Sequence, residues 1–113
     1  MSDEVFEIEV FEIIDGVRRA KAHELLGKPL IPAEILDEVG DVRERREVEL
    51  TSLRVPTKQT IDVSTQVKWD RFMKTFNLVK SGSPTPPILV TPGNRGQKLT
   101  DISLDSSGLK ERS

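Results

Sequence analysis

One helical pattern limits what this 113-residue chain can fold into. Between residues 65 and 80, large apolar side chains recur at the three- and four-residue spacing of a single helix face. These residues are Trp69, Phe72, Met73, Phe76 and Val79. Ser64 is a suitable N-cap, and Gly82 followed by Pro84 ends the pattern. Aromatic stripes of this kind are more often core than ligand sites, so we expect this helix to cover the core of a small domain.

The first forty residues predict a strand, a helix and a second strand. Apolar and polar residues alternate over 5–14, with a slip near Val10 and Phe11 that indicates a β-bulge or a strand end buried on both faces. Asp15 can cap a helix over 17–26, and Gly27 fits the left-handed position after its end. Residues 30–36 form another apolar run. This order predicts a βαβ unit with two parallel strands and a right-handed crossover.

The remaining segments predict a second half of the same domain. The charged residues 41–47 favour a solvated linker or a short helix. Residues 48–55 and 88–90 predict strands, 56–64 a loop, 92–96 a turn, 99–104 a final edge strand and 105–113 a flexible tail. We therefore expect one domain over 1–113, with a βαβ unit (1–40), the linker, and a strand-helix-strand half (48–104). The predicted fold class is α/β, with a small mixed sheet and two principal helices.

Charge and cysteine content exclude several classes of protein. The chain has 17 basic and 19 acidic residues, a balance that argues against a whole surface that grips nucleic acid. Because it has no cysteine, a disulfide framework, a zinc ribbon and a thiol nucleophile are excluded. No apolar run approaches the roughly 20 residues of a membrane span, and the acidic start is unlike a signal peptide. We expect a cytoplasmic protein without a membrane partner.

The segment 13–22 is where the sequence points to chemistry. It joins a strand to a helix through Gly16 and places Arg18 and Arg19 in the first helical turn. Backbone N–H groups and the helix dipole attract anions at such a position, and glycine allows a ligand to approach the backbone. Arginines have the wrong charge for a helix start, a local conflict that is typical of functional sites. They can bind phosphate oxygens, or they can pair with glutamates at the surface.

The same segment resembles the arginine box of the ParB/sulfiredoxin-like superfamily. The matching residues are Asp15, Gly16, Arg18, Arg19, Ala20, Ala22, Gly27, Ile31, Pro32 and Ile35. The opening half of that fold is similar to segments downstream: 48–55 to its first strand, 59 and 64 onward to its loop and helix, and 81–90 to the strand that leads to the box. The resemblance covers roughly residues 11–90 and implies a circular permutation, because the box comes first.

The resemblance implies a domain that binds a nucleotide or the phosphate backbone of a nucleic acid. It does not decide whether the domain also has nuclease or NTPase activity. Val17 stands where CTP-hydrolysing partition proteins have glutamate, which weakens the expectation of CTP hydrolysis. The missing cysteine excludes sulfinic acid reduction. The missing helix-turn-helix module argues against sequence-specific DNA binding. The alternative is a non-catalytic protein-interaction module of a toxin, phage or mobile-element system.

The expected phosphate or nucleotide site combines the start of the first helix with the loop after the long helix. Its residues are Asp15, Gly16, Arg18, Arg19, Ser81, Gly82 and Ser83. Three accessory candidates are His23, one turn past Arg19 and suited to proton transfer, Gln59 at the pocket mouth, and Arg95 in a glycine-rich turn. No residue is assigned to a metal, and the expected cofactor is a nucleotide with or without Mg²⁺. The chain is expected to be a monomer or a strand-exchanged dimer.

Overall fold

A computed structural model describes residues 9–56 and 60–105 of the chain. It has a mixed α/β fold with the following order: β1 (Phe11–Asp15), α1 (Val17–Leu25), β2 (Leu30–Leu36), β3 (Val42–Glu49), a 3₁₀ turn (Leu50–Ser52), β4 (Leu53–Val55), β5 (Ile61–Asp62), α2 (Gln66–Lys80), β6 (Ile88–Pro92), β7 (Gln97–Lys98), a second 3₁₀ turn (Leu99–Asp101) and β8 (Leu104–Asp105). Six strands form one sheet in the order β3-β2-β6-β1-β4-β7, and β5 pairs with β8 in a small second sheet.

The core lies between the six-stranded sheet and the two helices, which pack against each other. Alternate residues of β2 are buried, as the sequence predicts, and Ile88 and Val90 of β6 are fully buried. The predicted apolar stripe of α2 is confirmed. Phe72 and Val79 are buried, and the other three stripe residues are half-buried and pack against the core. The Phe72 and Phe76 rings lie 6.3 Å apart between centroids, within the range for favourable aromatic pairs.

The predicted parallel pairing of β1 with β2 is wrong. Strand β6 lies between them, antiparallel to β1 and parallel to β2, so β1 and β2 run in opposite directions. The physical reason is that β6 buries side chains while pairing on both edges, and a local pattern does not reveal which strand takes that central position. Residues 5–8 of the predicted first strand lie outside the described residues. In the described part, the break in register falls between Ile13 and Asp15, rather than near Val10 and Phe11.

The expected linker or short helix at 41–47 is also wrong, because residues 42–47 belong to β3. Strand β3 forms an antiparallel hairpin with β2, from the Leu30–Glu49 pair to the Leu36–Val42 pair. The hairpin turn is organised by Asp37, whose carboxylate accepts hydrogen bonds from the N–H groups of Val39 and Asp41 at 3.0 and 2.9 Å. The charged composition is explained by the position of β3 at the sheet edge, where most of its side chains are exposed.

The predicted continuous strand over 48–55 is broken by the 3₁₀ turn between β3 and β4. In a flat sheet, four strand spacings of about 4.8 Å would separate these two strands by about 19 Å. The four residue steps from Glu49 to Leu53 reach at most about 14 Å. The sheet must therefore curve. The predicted loop at 56–64 contains β5, and the predicted edge strand at 99–104 is the second 3₁₀ turn followed by the start of β8.

The residues that cap the two helix starts differ from the sequence predictions, whereas the glycines predicted to follow the helix ends agree with them. Asp15 does not cap α1, because Gly16 occupies the N-cap position and no side chain caps the helix. Thr65, not Ser64, caps α2 by accepting a hydrogen bond from the Lys68 N–H. Ser64 is instead bonded to the Asp62 carboxylate through its N–H and its hydroxyl. After the first helix, Gly27 adopts the predicted left-handed conformation, and Gly82, predicted to end the second helix, adopts the same conformation.

The contrast between two glycines gives a test of the fold. Gly16 has φ 112°, and a Cβ there would lie 2.8 Å from Cβ of Ile88, whereas Gly27 has φ 72° and open space around it. We expect Gly16→Ala to lower the free energy of unfolding by at least about 2 kcal/mol, because strain and overpacking add. Gly27→Ala is the matched control and should cost about 1 kcal/mol, from backbone strain alone. Equal losses in urea denaturation would contradict the packing of Gly16 against β6.

Candidate functional site

An open cleft of ≈ 590 Å³ lies where β1 ends and α1 begins. It contains the four residues predicted from the first helix start, Asp15, Gly16, Arg18 and Arg19. The other lining residues come from β1, α1, β5 and its approach, α2 and the loop before β6: Ile14, Val17, Thr60, Ile61, Arg71, Thr75 and Pro86. We call this the helix-start cleft. Its walls mix arginine side chains with small apolar surfaces.

The start of α1 leaves backbone donors free for a ligand. The first intrahelical hydrogen bond runs from the Ala20 N–H to the Gly16 carbonyl at 2.9 Å, so the N–H groups of Val17, Arg18 and Arg19 have no helical acceptor. No side chain caps them, and the first turn contains no acidic residue. The helix dipole adds partial positive charge at the same point. An anion in the cleft would therefore meet unpaired backbone donors.

Arg19 has a structural role that the sequence does not reveal. Its guanidinium donates to the Pro86 carbonyl at 2.8 Å and to the Pro87 carbonyl at 3.4 Å, and it lies 3.3 Å from the Asp15 carboxylate. Its side chain is 18% exposed. Arg19 thus ties the start of α1 to the segment that enters β6. Asp15 is ion-paired with Arg19 in the same contact and does not cap the helix.

Arg18 is left as the exposed cation of the pair. Among residues 9–56 and 60–105 it has no hydrogen-bond or ion-pair partner, and it lines the cleft from the α1 side. Arg71 of α2 is also exposed and has no such partner within that part of the chain, and it lines the same cleft from α2. A guanidinium in such a position can bind phosphate oxygens in a bidentate manner. Arg18 and Arg71 are therefore the two side chains best placed to contact an anion.

Sequence reasoning missed Arg71 and Thr75 on α2. They are four residues apart, so they share a helix face beside the apolar stripe, and this spacing is the only local signal. The sequence does not show that this face turns toward the start of α1. That position depends on the packing of α1 against α2, which is a tertiary contact.

The loop after α2 belongs to a different cleft. Gly82 and Ser83 line a space of ≈ 420 Å³ together with His23 and Lys28, near the end of α1 rather than its start. Ser81 is outside this lining and shares a hydrogen bond of 2.9 Å with the Ser83 hydroxyl. The predicted phosphate residues are therefore divided between the two ends of α1. The structure brings Asp15, Gly16, Arg18 and Arg19 together, but it does not join Ser81, Gly82 and Ser83 to them.

His23 is a buried residue, 8% exposed, at the lining of this second cleft. Its Nδ1 atom has no hydrogen-bond partner among the described residues. Burial lowers the pKa of His23 below its ordinary value, although a hydrogen bond with the Leu30 backbone partly opposes this shift. Although His23 follows Arg19 by one helical turn, it lines a different cleft. His23 is thus a neutral side chain at neutral pH, and it lies apart from the predicted phosphate-binding residues at the start of α1.

Arg95 is engaged by a buried carboxylate at the other end of β1. Its guanidinium lies 3.0 and 3.2 Å from the two carboxylate oxygens of Glu12, and its backbone N–H donates to the same group at 3.0 Å. These hydrogen bonds lower the pKa of Glu12 below its ordinary value. Glu12 is 5% exposed, so Arg95 supplies the charge that this buried group needs. Arg95 is not at the helix-start cleft, and Gln59 lies outside the described residues.

No family model, curated protein or solved structure matches the chain. Within residues 9–56 and 60–105, no group of three or more histidine, aspartate or glutamate side chains could hold a metal ion. In the same part of the chain, neither helix is long and apolar enough to span a membrane.

The buried His23 predicts a specific pH dependence of stability. Because its pKa is lower in the folded state, the unfolded state binds the proton more readily, and stability falls as pH decreases below about 6.5. His23 is the only histidine. We expect His23→Gln to show a smaller decrease in melting temperature between pH 7.5 and pH 5.5 than the wild type. Parallel decreases in the two proteins, measured by circular dichroism, would contradict a depressed His23 pKa.

Proposed function

We propose that this chain is a phosphate-binding α/β domain whose ligand occupies the helix-start cleft. In this proposal, the phosphate accepts hydrogen bonds from the unpaired N–H groups of Val17, Arg18 and Arg19. The guanidinium groups of Arg18 and Arg71 contact it from two sides. The observation that supports this best is the presence, around an uncapped helix start, of two exposed arginines without a partner among the described residues.

Local charge supports the same proposal. The whole chain has a formal charge of −2, yet the residues that line the cleft include three arginines and a single carboxylate. That carboxylate, Asp15, is paired with Arg19. The net local charge is therefore positive on a protein that is slightly acidic overall. Such a local concentration of positive charge attracts an anionic ligand to one place rather than to the surface in general.

The apolar part of the cleft favours a ligand larger than inorganic phosphate. Ile14 is 55% exposed at the cleft, and Pro86 contributes a second apolar surface. The cleft volume of ≈ 590 Å³ is within the range typical of small-molecule sites. A nucleotide, or a nucleotide of a single-stranded nucleic acid, would place its phosphate on the arginines and its base or sugar near Ile14. We propose a nucleotide as the ligand, with or without Mg²⁺.

The resemblance to the ParB/sulfiredoxin-like superfamily is part of the proposal, with the two halves in permuted order. Two features support it. The arginine box forms a strand, a glycine turn and a helix, and β6, from the proposed opening half, pairs directly with β1 of the box. In this interpretation the chain uses the arginine box to bind phosphate. The fold does not decide whether the chain also has nuclease or NTPase activity.

Binding of nucleotides tests the proposal. We expect one of the four ribonucleoside triphosphates, added with or without Mg²⁺, to raise the melting temperature of the wild type, since a ligand of the folded state stabilises it by about 2.7 kcal/mol at a hundredfold excess over Kd. The double variant Arg18→Ala/Arg71→Ala should bind at least about tenfold more weakly in titration calorimetry, because charge-assisted hydrogen bonds are lost.

The control variant is Arg43→Ala, which removes an exposed arginine from β3, outside the cleft. It should bind the same nucleotide as tightly as the wild type. Equal weakening by both variants would indicate nonspecific charge attraction. If no nucleotide, pyrophosphate or short single-stranded DNA binds a folded protein, the proposal fails, and the protein-interaction module becomes the better hypothesis.

A further inference from the structure

Among residues 9–56 and 60–105, the longest strand has an edge with no pairing strand. Strand β3 has eight residues, Val42–Glu49, and pairs only with β2 in the described part of the chain. The other edge of the six-stranded sheet, β7, has only two residues. An edge strand of this length presents a row of backbone donors and acceptors to any strand of suitable pattern.

The hydrogen-bond pattern of the hairpin shows which residues face outward. The Leu50 N–H donates to the Pro29 carbonyl at 2.9 Å, so this is a hydrogen-bonded pair. In an antiparallel ladder, hydrogen-bonded pairs alternate with non-hydrogen-bonded pairs. Glu49, Glu47 and Arg45 therefore belong to non-hydrogen-bonded pairs with β2. This assignment agrees with the partner of Glu47, which is Pro32 and has no N–H. The backbone groups of these three β3 residues therefore point away from β2, toward the free edge.

The side chains on the exposed face of β3 have a self-complementary order. Charged residues at alternate positions of β3 are Arg43, Arg45, Glu47 and Glu49, and all four are exposed. Arg45, Glu47 and Glu49 lie in the regular part of the ladder, whereas Arg43 lies where the β2–β3 register shifts. Two positive charges are thus followed by two negative charges. A second copy that runs antiparallel places its glutamates opposite these arginines, whereas a parallel copy places like charges together. Same-sign charges protect an edge strand from pairing, but this order attracts one particular partner.

The opposite face of β3 is already committed within the chain. Val48 is buried in the core. Arg46 is paired with Glu9 and Glu44, and its guanidinium lies 5.5 Å from the centre of the Phe11 ring. On the exposed face, Arg45 donates a hydrogen bond to the Glu34 carboxylate at 2.6 Å, but its side chain is 73% exposed and stays accessible to a partner strand. The charges of this face therefore decide the register.

We infer that β3 pairs antiparallel with β3 of a second copy, to form a two-fold symmetric dimer with a continuous sheet of twelve strands. The register places Arg45 opposite Glu47 of the second copy, and Arg43 opposite Glu49 of the second copy. The two-fold axis then passes beside Arg46, whose charge is balanced within its own chain. A shift by two residues would place Arg45 opposite itself and would lose both pairs of Arg45 with Glu47, which disfavours that register. The interface is one strand wide, so the dimer dissociates on dilution.

Charge variants at exposed positions of β3 test this inference, and Arg45→Glu also removes the ion pair with Glu34. We expect sedimentation equilibrium to show concentration-dependent dimers of the wild type. Arg43→Glu/Arg45→Glu gives the exposed face of β3 only negative charges, and Glu47→Arg/Glu49→Arg gives it only positive charges. Each variant alone should self-associate at least about tenfold more weakly than the wild type. An equimolar mixture should recover dimers that contain one copy of each variant, and native mass spectrometry identifies these by mass.

Disulfide trapping tests the register, because the chain has no cysteine of its own. In the proposed register, Arg43→Cys/Glu49→Cys brings each cysteine opposite its counterpart of the second copy, at the roughly 5.5 Å Cα separation that a disulfide accepts. Oxidation should therefore give covalent dimers. Arg43→Cys/Glu47→Cys, the matched control, fits the register shifted by two residues and should be trapped at least about tenfold more slowly. In both variants, the two cysteines of one chain are too far apart along the strand to join.

Three outcomes would overturn the inference. The first is a wild type that is monomeric at every concentration up to about 1 mM. The second is a dimer that all charge variants form equally well, which would indicate strand exchange instead of edge pairing. The third is faster trapping of the control cysteine pair. Circular dichroism identifies a variant that fails to fold, and in that case the cysteine pairs decide the question, since their positions are exposed.

Discussion

The central position of β6 is the constraint on which the rest of this structure depends. It pairs on one edge with β1 and on the other with β2, and it buries Ile88 and Val90 completely. Gly16 packs directly against Ile88, and the Arg19 guanidinium holds the carbonyls of Pro86 and Pro87 just before the strand begins. The turn that starts α1 is thus positioned by a strand that comes some seventy residues later in the chain.

Because of this constraint, the two arginines in the first turn of α1 have different roles. Arg19 has backbone and carboxylate partners within the chain, so its contribution is to hold the geometry of the cleft. Arg18 has none in the described residues, and it faces the cleft with Arg71. Neighbours in sequence therefore differ in role because one points toward the entry to β6 and the other toward solvent. The proposed binding of phosphate depends on both residues: Arg19 holds the shape of the cleft, and Arg18 contacts the phosphate.

Charged residues elsewhere show the same dependence on context. Arg95 resembled a ligand contact in the sequence, yet it neutralises Glu12, which is buried in β1. The charged segment after β2 resembled a linker, yet it belongs to β3, the longest strand in the described part of the chain. In an edge strand, one backbone edge and one face remain in water, so charge is compatible with strand pairing there. The order of those charges then determines which second strand could be attracted.

Local physics determined much of this protein from its sequence. The apolar stripe of α2, the boundaries of β2 and the glycine turns after both helices depend on residues within a few positions of one another, and they agree with the structure. The start of α1 and its arginines could also be located. The tertiary structure alone decided strand order, the separation of Ser81, Gly82 and Ser83 from the arginines, and the addition of Arg71 to the cleft. The reason is that helix and turn signals are short-range, whereas strand pairing and helix packing join distant residues whose local patterns are compatible with several partners.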